Sequence, residues 1–289
     1  MAVRIGLIGD LHYPLLEGDF IARRDARNRL YRTVFEEFFG ENADFHIAVG
    51  DVTHEGREQE WLAIADLASE NSVARRRNFR FVLGNHDTLE WRKTSILTMM
   101  RQPRFFVEEL QGARLILLDT TREASPDHWG GLIDAEQMEW LESLADLPKI
   151  PTIVIGHHPF PSTTAGSEEP MMFMEDADRL AGALTAFCSP VIYCNGHNHV
   201  HSIAKPSGER NDWLHVQTAA VLSSPSFRIL EIDEQNVVVR THVLTDERVV
   251  NDAVTVRTDL PGYYHPEAAD SQTDHEWTWS LNRSTPRDR

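Results

Sequence analysis

The sequence predicts a single α/β domain followed by a short C-terminal tail, and three observations predict it. Five apolar runs read as buried strands, and each stops at or just before a glycine that leads into Asp, Asn or His. Stretches with apolar residues at helical spacing separate these runs. From Trp213 onward, strand-like segments joined by turns take over. Alternating strands and helices build a largely parallel sheet, and open sheets of that kind place ligands at the carboxyl ends of their strands.

Taken in order, residues 3–8 form the first strand and run into Gly9-Asp10-Leu11-His12. The segment 20–39 carries Leu30, Val34 and Phe38 at helical spacing, with arginines on its other faces. Residues 45–49 are a short strand ending at Gly50-Asp51. A helix over residues 58–70 gathers Trp61, Ile64, Leu67 and Ala68 on one side. The strand 79–83 enters the turn Gly84-Asn85-His86-Asp87. Residues 115–118 are strand-like, and a helix over 134–145 opens with Asp134 as N-cap and Gln137 three residues later. The strand 152–155 precedes Gly156-His157-His158-Pro159. A long loop over 160–173 and a helix ending at Phe187 follow, then the strand 190–194 and Asn195-Gly196-His197-Asn198-His199. Strands are expected at 213–219, 226–232 and 236–244, with no helix in this last part. Residues 1–264 are assigned to the domain and 265–289 to a tail, extended or docked through Trp277 and Trp279.

With 289 residues, 41% hydrophobic and 25% charged, the chain can bury a substantial core. A formal charge of -17 argues against a face that grips nucleic acid. The run Arg75-Arg76-Arg77 reads as a solvated face or as a local basic groove. Cys188 and Cys194 are expected to be buried free thiols, which suits a reducing compartment. The first residues are too short and wrongly flanked for a signal peptide, and no run approaches a membrane span. A cytoplasmic protein is expected.

The strand ends carry the chemistry. Asp10, His12, Asp51, Asn85, His157, His197 and His199 each follow a strand, so all can converge on one sheet edge. Asp-x-His and His-x-His place both side chains on the same side of an extended segment. Carboxylate, imidazole and amide oxygen together favour first-row ions such as Mn, Fe, Co, Ni or Zn. These are more donors than one such ion takes, so two ions sharing a bridging carboxylate is the economical arrangement.

The ordered set Gly9-Asp10-Leu11-His12, Gly50-Asp51, Gly84-Asn85-His86-Asp87, Gly156-His157-His158 and Gly196-His197-Asn198-His199 resembles the calcineurin-like metallophosphoesterases. The resemblance covers residues 3 to about 230. It is greatest to the bacterial branch with class III cyclic-nucleotide and glycerophosphodiester phosphodiesterases. It implies a four-layer α/β/β/α sandwich. It also implies that Asp10, His12 and His199 hold a first metal, that Asn85, His157 and His197 hold a second, and that Asp51 bridges them. His86 is then the catalytic side chain, over the phosphate, stabilising the transition state or protonating the leaving alkoxide. The implied reaction is hydrolysis of a small phosphodiester by a hydroxide that the metals generate. The alternatives are a phosphomonoesterase on the same centre and a non-catalytic scaffold of the same fold. A homo-oligomer is compatible with the resemblance.

One position departs from the family pattern. Three residues after the bridging Asp, where Asp or Asn is usual and helps orient the catalytic His, this chain has His54. Glu55 or Asp87 is a candidate substitute. Other residues have more than one reading. His158 is a substrate contact or a turn residue, and His201 a support for the metal ligands or a surface group. Arg23, Arg24 and Arg27 are phosphate contacts or helix-surface charges. Trp91, Arg92 and the cluster Met171-Met172-Phe173 line a pocket, make an oligomer contact or cover core.

Overall fold

The computed structural model describes residues 2–16, 18, 21–124, 127–205, 212–266 and 274–281. Six strands form one sheet: β1 (Val3–Ile8), β2 (Phe45–Ala48), β3 (Phe79–Phe81), β10 (Ser226–Ile232), β11 (Asn236–Val243) and β12 (Glu276–Ser280). Six form another: β4 (Phe106–Leu110), β5 (Ala113–Leu117), β6 (Ile150–Ile155), β7 (Cys188–Asn195), β8 (Ser202–Ala204) and β9 (Trp213–Gln217). Their orders are β12-β11-β10-β1-β2-β3 and β4-β5-β6-β7-β9-β8. Strands β1, β2 and β3 run parallel, as do β5, β6, β7 and β9.

The near-continuous apolar runs follow from burial on both faces. In β1, Val3, Ile5 and Leu7 point between the sheets, while Ile8 points to the helical side. In β5, Leu115 and Leu117 face the other sheet, and Ile116 faces helices. The first sheet is covered by α1 (Ile21–Gly40), α2 (Glu58–Arg75), α3 (Lys93–Met100) and α6 (Glu247–Arg257). The second is covered by α4 (Ala135–Ser143) and α5 (Ala177–Phe187). This is the expected four-layer α/β/β/α sandwich. Side chains such as Phe35, Phe38 and Trp61 are fully buried in it. Burial of each such side chain contributes about 1.5–3 kcal/mol.

The structure corrects the sequence reading in several places. The last part of the chain does contain a helix. Asp246 caps α6 by accepting the Arg248 N–H at 2.8 Å, and Arg29 of α1 grips Asp252 with two bonds of 3.0 and 2.6 Å. Strand β4 pairs with β5 in a hairpin closed at Gly112, whose φ of 89° suits glycine. Helix α3 and strands β4 and β8 were not anticipated. Asp134 does cap α4, but Gln137 does not complete a capping box. Its amide instead binds both the N–H and the C=O of Asp119, each at 2.8 Å. Cys188 and Cys194 are buried free thiols. Within the residues assigned to the tail, β12 adds antiparallel to β11, and Trp277 and Trp279 pack against the core between the sheets. Among the described residues, no helix is long and apolar enough to cross a membrane.

Candidate metal centre

The carboxyl ends of β1, β2, β3, β6 and β7 meet at one edge and deliver all seven predicted ligand residues to one buried cluster. Two glycines allow the approach. A Cβ on Gly84 would lie 2.2 Å from the Asp51 carboxylate, and one on Gly50 would lie 2.2 Å from His157 Nδ1, at a φ of +101°. His12, Asp51, His197 and His199 all have left-handed backbones, with φ of 44°, 44°, 74° and 62°. Such conformations cost about 1–3 kcal/mol each and persist where the surroundings over-determine them. They also correct the extended-segment reasoning. His197 and His199 do not point the same way: His197 Nδ1 meets His157 at 3.2 Å, whereas His199 Nε2 meets His12 at 2.9 Å.

Backbone carbonyls fix which ring nitrogen of each histidine carries its proton, because a carbonyl only accepts. His157 Nδ1 donates to Val49 O at 2.9 Å and His197 Nε2 to Met171 O at 3.0 Å. His199 Nδ1 donates to Tyr264 O. With these rings neutral, His157 Nε2, His197 Nδ1 and His199 Nε2 present bare lone pairs to the cavity. His12 Nε2 joins them. The inward atoms fall into two sets. Asp10, His12, Asp51 and His199 place one donor atom each within 4.8 Å of one another. In the other set, His157 Nε2 lies 3.3 Å from Asn85 Oδ1 and 3.4 Å from Asp51 Oδ2. Asp51 Oδ2 also lies 3.6 Å from His12 Nε2, so one carboxylate oxygen faces both sets, while Oδ1 accepts the His86 N–H at 2.8 Å.

Acceptors packed this closely with no proton between them repel unless a cation sits among them. The charges express the same tension. Burial pushes Asp10 up to about 8, against the pull of His157, and Asp51 adds to the rise. Burial would also raise Asp51, but His157, His86 and His12 hold it well below the usual carboxylate range. Burial works against a charge on His157, yet Asp51 and Asp10 push it up to about 9. A proton on His157 is thus the relief available when no metal is bound. Burial keeps His197 down at about 3 and His199 at about 4, the neutral state that ligates. The donor set fits two borderline cations.

His86 follows Asn85 and faces the cavity. Its Nδ1 donates to the backbone carbonyl of His54 at 2.7 Å, and its ring stacks on His54 at 5.3 Å between centroids. Neither proposed substitute orients it. Asp87 is occupied by the Thr53 N–H and hydroxyl and the Gly84 N–H, at 2.8–2.9 Å. Glu55 pairs with Arg57. Above the cluster lies a cavity of about 460 Å³, floored by Asp51, Asn85, His86, His197 and His199, with Leu89, Trp129, Met172 and Tyr264 in its walls.

The remaining candidates sort by their partners. His158 is buried, bonded through Nδ1 to the Thr120 hydroxyl at 2.9 Å and through Nε2 to Trp129 O at 2.9 Å. It ties the metal-side turn to the cavity wall. Thr120, which sequence reasoning missed, also accepts the N–H groups of His157 and His158, each at 3.1 Å. His201 is buried beside Ser226 and Arg228, not on the surface. Arg23 is committed to Val256 O and Thr258 O, and Arg27 to Pro14 O. Met171 and Met172 do belong to the site, one by its carbonyl and one by its side of the cavity. Trp91 packs against the helical core of the first sheet.

Residues 3–201 match the family model described as calcineurin-like phosphoesterase. A probable cyclic nucleotide phosphodiesterase of Rhodopseudomonas palustris is 33% identical over 119 residues, 40% of this chain and 42% of that protein. A second, from Rhodococcus erythropolis, is 27% identical over 206 residues, 70% of this chain and 66% of that protein. The matches therefore span less than two thirds of these relatives' lengths. Among solved structures, a dimetal phosphatase from Danio rerio superposes with a TM-score of 0.65 at 16% identity, covering 83% of this chain and 96% of that one. A purple acid phosphatase from yellow lupin gives 0.57 at 15% identity, over 84% of this chain and 52% of that one. At these identities the likeness is one of fold.

Proposed function

The chain belongs to the calcineurin-like phosphoesterase family, and from that premise we propose that it is a dinuclear-metal phosphodiesterase acting on a small soluble diester of the cyclic-nucleotide or glycerophosphodiester type. The observation that carries the reading is the pair of inward-facing ligand sets that share Asp51 Oδ2. Asp10, His12 and His199 would hold one ion, Asn85, His157 and His197 the other, with Asp51 between. Bound there, two cations supply an activated water and neutralise charge on the phosphoryl oxygens. The protein's own part is positioning and proton delivery. The His54 carbonyl holds one His86 proton on Nδ1, so a second proton, taken up from solvent on Nε2, is the one passed to the leaving alkoxide.

The cavity wall favours a diester over a monoester. A monoester brings a second phosphate charge that asks for a free cation. Among the described residues lining the cavity, Arg122 is the one arginine or lysine. It is already engaged by Glu175 at 2.5 Å and by Gly130 O at 3.1 Å. The aromatic and aliphatic walls suit an organic ester group, and the names of the two bacterial relatives point to the same class.

Metal-stripped protein resupplied with Mn²⁺ is expected to hydrolyse bis(p-nitrophenyl) phosphate in preference to p-nitrophenyl phosphate, and Asn85→Ala is expected to lose the activity. A preference for the monoester would replace this reading with a phosphatase. Bound metal without turnover of either ester, or of cyclic nucleotides and glycerophosphodiesters, would favour the scaffold reading.

A further inference from the structure

The segment that follows α6 lies outside the family match, yet it reaches the metal centre at three points. Pro261 O accepts from His54 Nε2 at 2.7 Å. Tyr264 O accepts from His199 Nδ1. Between them, the Tyr263 ring stacks on His199 at 5.1 Å between centroids, inclined 23°, and meets His12 edge-on at 5.2 Å. Tyr263 is held in turn by the Ser223 hydroxyl at 2.7 Å.

His54 links this segment to the cluster. Because Pro261 O only accepts, the proton of His54 sits on Nε2, and its Nδ1 is free to accept. His12 Nδ1 lies 3.3 Å away and is the donor. That fixes the other His12 nitrogen, Nε2, as the bare one facing His199 and Asp51. The stem of an Asp or Asn at position 54 would be too short for its end group to meet both His12 and Pro261. The departure from the family pattern thus has a physical use: the ring spans from His12 to Pro261.

We infer that His54 and residues 260–264 form a clamp that fixes the orientation of His12 and His199, so that the stretch after α6 sets the affinity of one of the two metal positions. The inference rests on the ligand assignment proposed above. His54 acts here as a positioning residue, through its ring to His12 and through its carbonyl to His86. Residues that orient metal-bound histidines typically change affinity by roughly 10–100-fold when removed.

The test uses the full chain, stripped of metal and titrated calorimetrically with Mn²⁺, as wild type, His54→Ala and His54→Gln. Amide hydrogen exchange over residues 258–265 is followed in the metal-free state of each. The wild type should take up two ions. His54→Ala should weaken one uptake by roughly 10–100-fold, leave the other in place and speed exchange at 260–264. His54→Gln, whose amide oxygen can accept from His12 and whose amide nitrogen can donate to Pro261, should recover most of the affinity and the protection. Equal titrations for wild type and His54→Ala would overturn the clamp, as would a His54→Gln protein as weak as His54→Ala. A wild type that takes up no Mn²⁺ overturns the ligand assignment itself, and the exchange comparison then decides the clamp alone.

Discussion

Asp51→Asn is expected to lower phosphodiester turnover by about 10³-fold or more and to strip the protein of at least one bound metal. Asn preserves the shape of the side chain and an oxygen for the His86 N–H, which Asp51 accepts at 2.8 Å. What it removes is the charge on the oxygen that faces both His12, at 3.6 Å, and His157, at 3.4 Å. Metal ions are worth several kcal/mol of transition-state charge stabilisation, and each 1.36 kcal/mol is tenfold in rate, which gives the scale of the loss. The matching readout is metal content after gel filtration in buffer without added Mn²⁺. Full activity with two metals retained in Asp51→Asn would sink the bridging role.

His86→Gln is expected to lower turnover by roughly 10²–10⁴-fold while leaving metal content unchanged. His86 touches the cluster only through its backbone N–H and its ring contacts, with Nδ1 spent on the His54 carbonyl. Its loss should depend on the leaving group. An alkoxide, as in a cyclic nucleotide or a glycerophosphodiester, needs a proton as it departs, whereas p-nitrophenolate needs little help. The variant should therefore be crippled on the former and much less affected on bis(p-nitrophenyl) phosphate. An equal loss on both would assign His86 to charge stabilisation and not to proton delivery.

Much of this centre was legible in the sequence because its signals are local. A glycine that leaves room for another ligand residue sits beside the ligand residue it serves, as Gly84 does before Asn85 and Gly50 before Asp51. The apolar runs that precede them are buried on both faces, so strand positions were readable from hydrophobicity alone. The orientation of each ligand was not. His197 and His199 diverge because both residues adopt left-handed backbones, and no residue type at those positions announces it. The proton positions depend on the carbonyls of Val49, Met171, Pro261 and Tyr264, which any residue could supply.

Two misses were readable in principle. Helix α6 has Val249, Ala253 and Val256 on its buried face behind an Asp246 cap, but its β-branched residues resemble a strand. The β4–β5 hairpin turns at Gly112, and a glycine between two apolar runs is a local turn signal. Thr120 carried no sequence signal, since its role rests on meeting His157 and His158 from a neighbouring strand end.

The most direct test of a dinuclear centre is anomalous diffraction at the manganese edge from crystals grown with Mn²⁺. Two peaks are expected in this cluster, one against Asp10, His12 and His199, the other against Asn85, His157 and His197, with the Asp51 carboxylate between them. A single peak, or none at these seven residues while the protein stays folded, would contradict it.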